Sequence, residues 1–177
     1  MTPVFTPAEI AAKVASLGAA ISREYAGRRL LAVVVLKGAM VFAADLIRHI
    51  TVPLRVDFVR LASYGAGDSP GELVFREDME MSCEGEHILI VEDIVDTGRS
   101  MALLSRVLRG RGAASVALCA LIDKTGRREV EVPVDFSRFT LTKGFLVGYG
   151  LDLAEEYRAL PGIYELSQQE RSHSHES

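Results

Sequence analysis

Apolar residues along this chain fall into short unbroken runs, separated by stretches in which they recur at helical spacing. Residues 30–36 read LLAVVVL with no polar interruption, the pattern of a strand buried on both faces. Residues 54–63 (LRVDFVRLAS), 87–93 (HILIVED) and 115–123 (SVALCALID) predict three more strands, and 145–150 (FLVGYG) a fifth. Residues 73–78 (LVFRED) read as a short strand returning from a loop. Helical signals lie between the runs. Thr6-Pro7-Ala8-Glu9 has the form of a capping box with proline at the first helical position, so a helix is expected from there to about Tyr25, stopping near Gly27. Helical spacing resumes at 40–50 (MVFAADLIRHI). It appears again at 100–112, where Met101, Leu104 and Leu108 share a face before a terminating glycine.

Strands alternating with helices predict an α/β fold with a parallel sheet covered on both sides. Ligands of such sheets bind outside the carboxyl ends of the strands, at a topological switch point. The residues just after each buried run are therefore the informative ones. One connection stands out: residues 64–72 (YGAGDSPGE) hold three glycines and a proline, and read as a mobile loop. The polar stretch 167–177 (SQQERSHSHES) is expected to be a disordered tail on a single domain spanning 1–166.

Composition narrows the function classes. With 177 residues, the chain can bury a sizeable core. Its net charge of −4, without a basic strip, argues against a nucleic-acid surface, whose affinity comes mainly from phosphate neutralisation. The two cysteines, Cys83 and Cys119, have no metal-type spacing, and Cys119 lies in an apolar run where a buried free thiol is expected. The first residues lack the pattern of a signal peptide. The run at 30–36 is too short to span a bilayer. A cytoplasmic protein with no membrane partner is the expectation that remains.

Every strand end carries either a phosphate-type donor or a carboxylate. Leu36-Lys37-Gly38 follows the first strand, Ser63-Tyr64 the second and Glu92-Asp93 the third; Asp123-Lys124 follows the fourth, and Asp152 lies near the fifth. After Glu92-Asp93, Asp96-Thr97-Gly98-Arg99-Ser100 forms a strand-to-helix turn. Its backbone N–H groups, its hydroxyls and the helix dipole suit a phosphate dianion. Glu92 and Asp93 suit a paired diol, as on a ribose, and attract Mg²⁺. Asp96 is a candidate helix cap.

The segment ILIVEDIVDTGRSM (88–101) resembles the ribose-phosphate signature of type I phosphoribosyltransferases. The chain as a whole is similar to the hypoxanthine-guanine phosphoribosyltransferases of purine salvage. Five motifs occur in that family's order across about residues 30–166. The resemblance implies the type I phosphoribosyltransferase fold with flanking helices and a small base-binding hood. It implies transfer of a phosphoribosyl group from 5-phosphoribosyl-1-pyrophosphate to N9 of a 6-oxopurine, with Mg²⁺, through a loose transition state. Glu92, Asp93, Ile94, Val95, Asp96, Thr97, Gly98, Arg99 and Ser100 would hold the ribose phosphate, with Asp96 catalytic. Leu36, Lys37, Gly38 and Arg158 would hold pyrophosphate, with a cis peptide at Leu36–Lys37. Ser63 and Tyr64 would begin a lid over the reaction. Lys124 would read the purine O6, Phe145 would stack on the ring, and the backbone of Leu146 and Val147 would read its edge. Glu92, Asp93 and Asp152 would contact metal, Asp152 also belonging to the base-binding set. A homodimer or homotetramer is implied as well.

Three rivals share parts of this pattern: a phosphoribosyltransferase for another base such as xanthine, a non-catalytic nucleotide-binding regulator on the same fold, and a phosphoacceptor receiver domain, which should instead place an acidic pair after its first strand. The acidic balance speaks against an RNA-binding regulator. Nothing in the sequence reads the purine C2 position.

Overall fold

The computed structural model describes residues 1–64 and 72–173. Its centre is a six-stranded sheet in the order β4-β3-β2-β5-β6-β7. These strands are β2 (Leu30–Val35), β3 (Leu54–Tyr64), β4 (Glu72–Glu77), β5 (His87–Val95), β6 (Ser115–Lys124) and β7 (Phe139–Leu141). β3, β2, β5, β6 and β7 run parallel, and β4 returns antiparallel to β3. From β2 the chain first moves to β3 on one side and later crosses to β5 on the other. The switch point therefore lies between the carboxyl ends of β2 and β5.

Alternation along the strands sorts the core into two layers. Leu30, Ala32, Val34, Leu89, Val91, Cys119 and Leu121 face one side, where they pack with Val14, Leu17 and Ile21 of α1 (Pro7–Glu24) and with Phe42 and Leu46 of α2 (Met40–Leu46). Leu31, Val33, Ile88, Ile90, Leu118 and Ala120 face the other side, against Met101, Leu104 and Leu108 of α3 (Arg99–Gly110). This double cover is why the runs show no polar alternation. The predicted capping box starts α1: the Thr6 side chain accepts from Glu9 N, and Thr6 N donates to Glu9 Oε2 at 2.8 Å. α2 tightens into a 3-10 turn at Ile47–His49. Cys83 and Cys119 are both free and buried.

The fifth strand corrects the sequence expectation. The last parallel strand is the short β7. The FLVGYG segment instead contributes β8 (Leu146–Val147) to a separate antiparallel sheet, ordered β1-β9-β8 with β1 (Thr2–Phe5) and β9 (Ile163–Glu165). Left-handed backbone at Gly148, Tyr149 and Gly150, with φ of 95°, 53° and 101°, ends the extended run after two residues. This small sheet is the hood.

The polar stretch expected to be disordered holds a short helix, α4 (Gln168–His173). Ser167 and Glu170 start it as a capping pair, Ser167 N donating to Glu170 Oε2 at 2.9 Å. The S-x-x-E spacing that signals such a start is present in the sequence but sits among polar residues with no apolar face.

Candidate active site

The loops after β2, β5 and β6 and the segment after β8 converge at the carboxyl edge of the sheet. The turn after β2 carries a cis peptide at Leu36–Lys37 and then Gly38. A methyl group on Gly38 would lie 1.8 Å from Asp93 Oδ2, and one on Gly150 would lie 2.2 Å from the Gly38 carbonyl oxygen. Only glycine lets the three segments approach this closely. Asp93 is held in place by Ile94 N, which donates to its Oδ1 at 2.7 Å, and Asp93 N donates to Glu92 Oε1 at 3.0 Å.

Glu92 and Asp93 form an electrostatically unfavourable pair. Burial, and then the neighbouring Asp93 charge, hold the Glu92 carboxyl well above the usual carboxylate range. Burial raises Asp93 as well, partly offset by hydrogen bonds and by the charge of Arg158. Both residues are half-buried at the edge of the cleft.

The motif's two halves share a space. A cavity of about 150 Å³ is lined by Glu92, Ile94, Val95, Asp96, Thr97, Gly98, Ser100 and Met101. Glu92 and the strand-to-helix turn therefore open on one space; Asp93, its neighbour on β5, lies instead against Gly38. Gly98, at φ 83°, is the residue before α3; a Cβ there would meet the Val130 carbonyl oxygen at 2.3 Å. Val130 N and Glu129 N both donate to the Thr97 carbonyl, at 3.0 and 2.9 Å. The turn is thus pinned from behind by residues 129–130. Arg99 is exposed, and its guanidinium pairs with Glu129, which leaves its backbone as what it can offer an anion here.

Asp96 does not cap α3. Gly98 takes the cap position and no side chain bonds there. The Asp96 carboxylate instead turns to the end of β6, where Lys124 Nζ lies 3.3 Å and Arg127 Nη1 3.5 Å from its Oδ2. Among the described residues its Oδ1 is buried without a hydrogen-bond partner, an uncommon state for a carboxylate oxygen. Lys124 is itself only 8% exposed. It borders a second cavity of about 400 Å³ shared with Arg127, Lys143, Phe145, Glu165 and Arg171. Phe145 is half-buried there, with the Arg171 guanidinium 5.5 Å from its ring centre. Leu146 and Val147 are buried within the hood.

Arg158 points back from the segment after β8. Its Nη1 donates to the Gly150 carbonyl at 2.7 Å, and its Nη2 reaches Asp152 Oδ1 at 2.9 Å and Glu155 Oε2 at 3.1 Å. Asp152 Oδ2 accepts from Glu155 N at 2.9 Å, so both its oxygens are engaged. Among the described residues, no three His, Cys, Asp or Glu side chains gather as a metal cluster; Asp152 stands apart from Glu92 and Asp93. Ser63 and Tyr64 end β3, in register with Leu73 and Glu72 of β4. The glycine-rich segment at 65–71, read as the lid, lies outside the described residues.

Sequence reasoning missed two residues here. Arg128 joins the ends of β5 and β6: it ion-pairs with Asp123 and donates to the carbonyls of Asp96 at 3.1 Å, Val95 at 3.3 Å and Lys124 at 3.4 Å. Glu155 lies between Lys37 and Arg158. An arginine doublet four residues past a strand end was the signal for the first. Nothing local marks the second.

The family model described as the phosphoribosyl transferase domain matches residues 5–154. The chain belongs to the phosphoribosyltransferases, in their hypoxanthine-guanine branch. It is 45% identical over 156 residues to the hypoxanthine-guanine phosphoribosyltransferase of Bacillus subtilis, covering 88% of this chain and 87% of that one. It is 42% identical over 159 residues to the hypoxanthine phosphoribosyltransferase of Salmonella typhimurium, covering 88% and 89%. The crystal structure of a hypoxanthine phosphoribosyltransferase from Staphylococcus aureus superimposes with a TM-score of 0.91 at 34% identity, covering 94% of this chain and 91% of that one. The phosphoribosyltransferase fold read from the motifs is the fold observed. No helix among the described residues is long and apolar enough to cross a membrane.

Proposed function

We propose that this phosphoribosyltransferase converts hypoxanthine, guanine or both, with 5-phosphoribosyl-1-pyrophosphate, into the purine nucleotide and pyrophosphate. The observation that carries the reading is the single cavity that Glu92 shares with the turn from Asp96 to Ser100. A ligand bearing a phosphate at one end and a diol at the other uses both walls at once. The phosphate accepts from the turn's backbone N–H groups and from the Thr97 and Ser100 hydroxyls. The ribose hydroxyls donate to Glu92 and Asp93.

In the reaction the purine N9 forms a bond to C1′ while the bond from C1′ to the pyrophosphate oxygen breaks. Lys37 and Arg158 neutralise the departing diphosphate. Asp96 is the base: its buried, unpartnered Oδ1 is an acceptor waiting for a donor, and it takes the proton that the purine loses. Lys124 and Arg127 steady its charge from the other oxygen. Lys124, a donor without acceptor capacity, favours a carbonyl at C6 over an amino group. Phe145 offers the stacking face, so that much of the rate comes from holding N9 against C1′.

The donor set fits Mg²⁺. Glu92 and Asp93, whose ionisation is resisted by burial, would hold the ion together with substrate oxygens and water. When bound, the ion neutralises diphosphate charge. We further read the protein as cytoplasmic and as a homodimer or homotetramer, with residues 1–166 forming one domain.

The test is a spectrophotometric assay with the sugar donor, Mg²⁺ and each purine in turn. Nucleotide from hypoxanthine or guanine is the expected result; none from either, with product from another base, would refute the substrate assignment.

A further inference from the structure

The two cations assigned to pyrophosphate already share an anion of the chain itself. Glu155 Oε2 lies 3.2 Å from Lys37 Nζ and 3.1 Å from Arg158 Nη2. Glu155 is 61% exposed, so the bridge sits at the mouth of the cleft. Its position is built rather than incidental. Ala154, Glu155 and Tyr157 all have left-handed backbone, with φ of 51°, 69° and 70°, a conformation uncommon for residues other than glycine. Asp152 Oδ2 accepts from Glu155 N at 2.9 Å and fixes the turn that aims the carboxylate back at the cations. Arg158 Nε, by contrast, is buried and has no acceptor among the described residues. The guanidinium is therefore anchored on one side by Gly150 and Asp152 and keeps a donor in reserve.

We propose that Glu155 is an internal stand-in for the leaving group, an anion that bridges Lys37 and Arg158 until a diphosphate displaces it and that re-enters as the diphosphate departs. This rests on the pyrophosphate role assigned to Lys37 and Arg158 above. Exposed ion pairs contribute little, so the bridge yields to a multiply charged diphosphate that also satisfies Arg158 Nε. A singly charged or small anion has less to offer both cations at once and competes poorly. Exchange of one anion for another also spares Lys37 and Arg158 from standing unpaired while product leaves. Glu155 is thus a specificity and release residue rather than a catalytic one.

The experiment is equilibrium titration of the full-length protein with inorganic pyrophosphate in Mg²⁺, for wild type, Glu155→Gln and Glu155→Gln in a Lys37→Met background. Removing the competing charge should tighten pyrophosphate binding about 2- to 10-fold, the effect of releasing one or two exposed ion pairs. Orthophosphate should gain at least as much, the KM for the sugar donor should fall and the KM for the base should stay constant. In the Lys37→Met background the gain should shrink by at least half. Pyrophosphate binding unchanged or weakened by Glu155→Gln, with the unfolding temperature preserved, would overturn the stand-in role and make Glu155 an aligner of the cations or a bystander. Wild-type protein that binds no pyrophosphate while retaining its fold would overturn the functional reading itself, and this inference with it.

Discussion

Arg128→Met should cost both stability and turnover, because one guanidinium closes the seam between β5 and β6 beneath the reacting groups. Its partner Asp123 stands in register with Val95. The two charged side chains are only 13% and 22% exposed. Removing one member of a buried pair typically costs about 3–5 kcal/mol, because the other charge is left without compensation. Partial exposure of Asp123 lets water recover some of that. The three carbonyl contacts, at 3.1 to 3.4 Å, add little each, since water can replace them. The net is about 2–4 kcal/mol, which for a chain of this size lowers the unfolding temperature by about 6–12 °C. The Asp96 carbonyl is one of the acceptors, so kcat should fall while the KM for the sugar donor changes less. Arg128→Lys restores a charge opposite Asp123 but cannot reach carbonyls on both strands with one ammonium. It should recover part of the stability and less of the turnover. Thermal unfolding and steady-state kinetics on both variants decide the matter. The reasoning fails if Arg128→Met melts within about 2 °C of wild type, the span of less than about 1 kcal/mol, or if Arg128→Lys is fully active.

Three other outcomes are expected. Asp96→Asn keeps the shape of the side chain but cannot take the purine proton; kcat should drop about 10²- to 10⁴-fold, while calorimetric binding of the sugar donor persists. Gly38→Ala places a methyl group 1.8 Å from Asp93 Oδ2, so the carboxylate must turn away; donor binding should weaken roughly 10- to 100-fold with little change in melting temperature. Arg111 donates to both oxygens of Asp78, at 2.7 and 2.6 Å, and its hydrogen bonds hold the Asp78 carboxyl below its ordinary value of 3.8. That stabilisation is present above pH 3.8 and is lost as pH falls through the lower, folded-state value. Arg111→Met should therefore melt below wild type at neutral pH, by no more than about 1 kcal/mol for so exposed a pair, and the two curves should converge in strong acid.

Much of this architecture was legible because burial on two faces leaves an unmistakable trace. Residues 30–35 and 88–91 are buried on both faces, so the strands, their parallel pairing and the importance of their carboxyl ends followed together. The hood was misread at its strand because FLVGYG has strand composition. What stops it is left-handed backbone at Tyr149 as well as at the glycines, and only tertiary contact decides that: Tyr149 buries its ring and donates to Asp45 Oδ2 at 2.6 Å from another element. Asp96 followed the same logic. Local spacing offered it a helix cap, and the long-range pull of Lys124 and Arg127 prevailed. Arg128 and Glu155 act across 32 and 118 positions, toward Asp96 and Lys37 respectively, and no window of sequence contains both ends of either contact.

The cleft's unmet needs identify its ligand more sharply than its filled contacts do. Most charges there have an internal partner: Asp96 Oδ2 has Lys124 and Arg127, and Lys37 and Arg158 have Glu155. Among the described residues, some needs stay unmet. Glu92 is buried beside the like-charged Asp93, Arg158 Nε and Arg171 Nε have no acceptor, and Asp96 Oδ1 has no donor. A purine alone answers only the last of these, through its ring N–H. A nucleotide without metal leaves the acidic pair repelling. A metal-bound diphosphorylated sugar beside a purine supplies cation, acceptor and donor together. On the role proposed above, the buried acceptor at Asp96 Oδ1 would serve a proton that only the free purine still carries, which favours transfer over mere recognition.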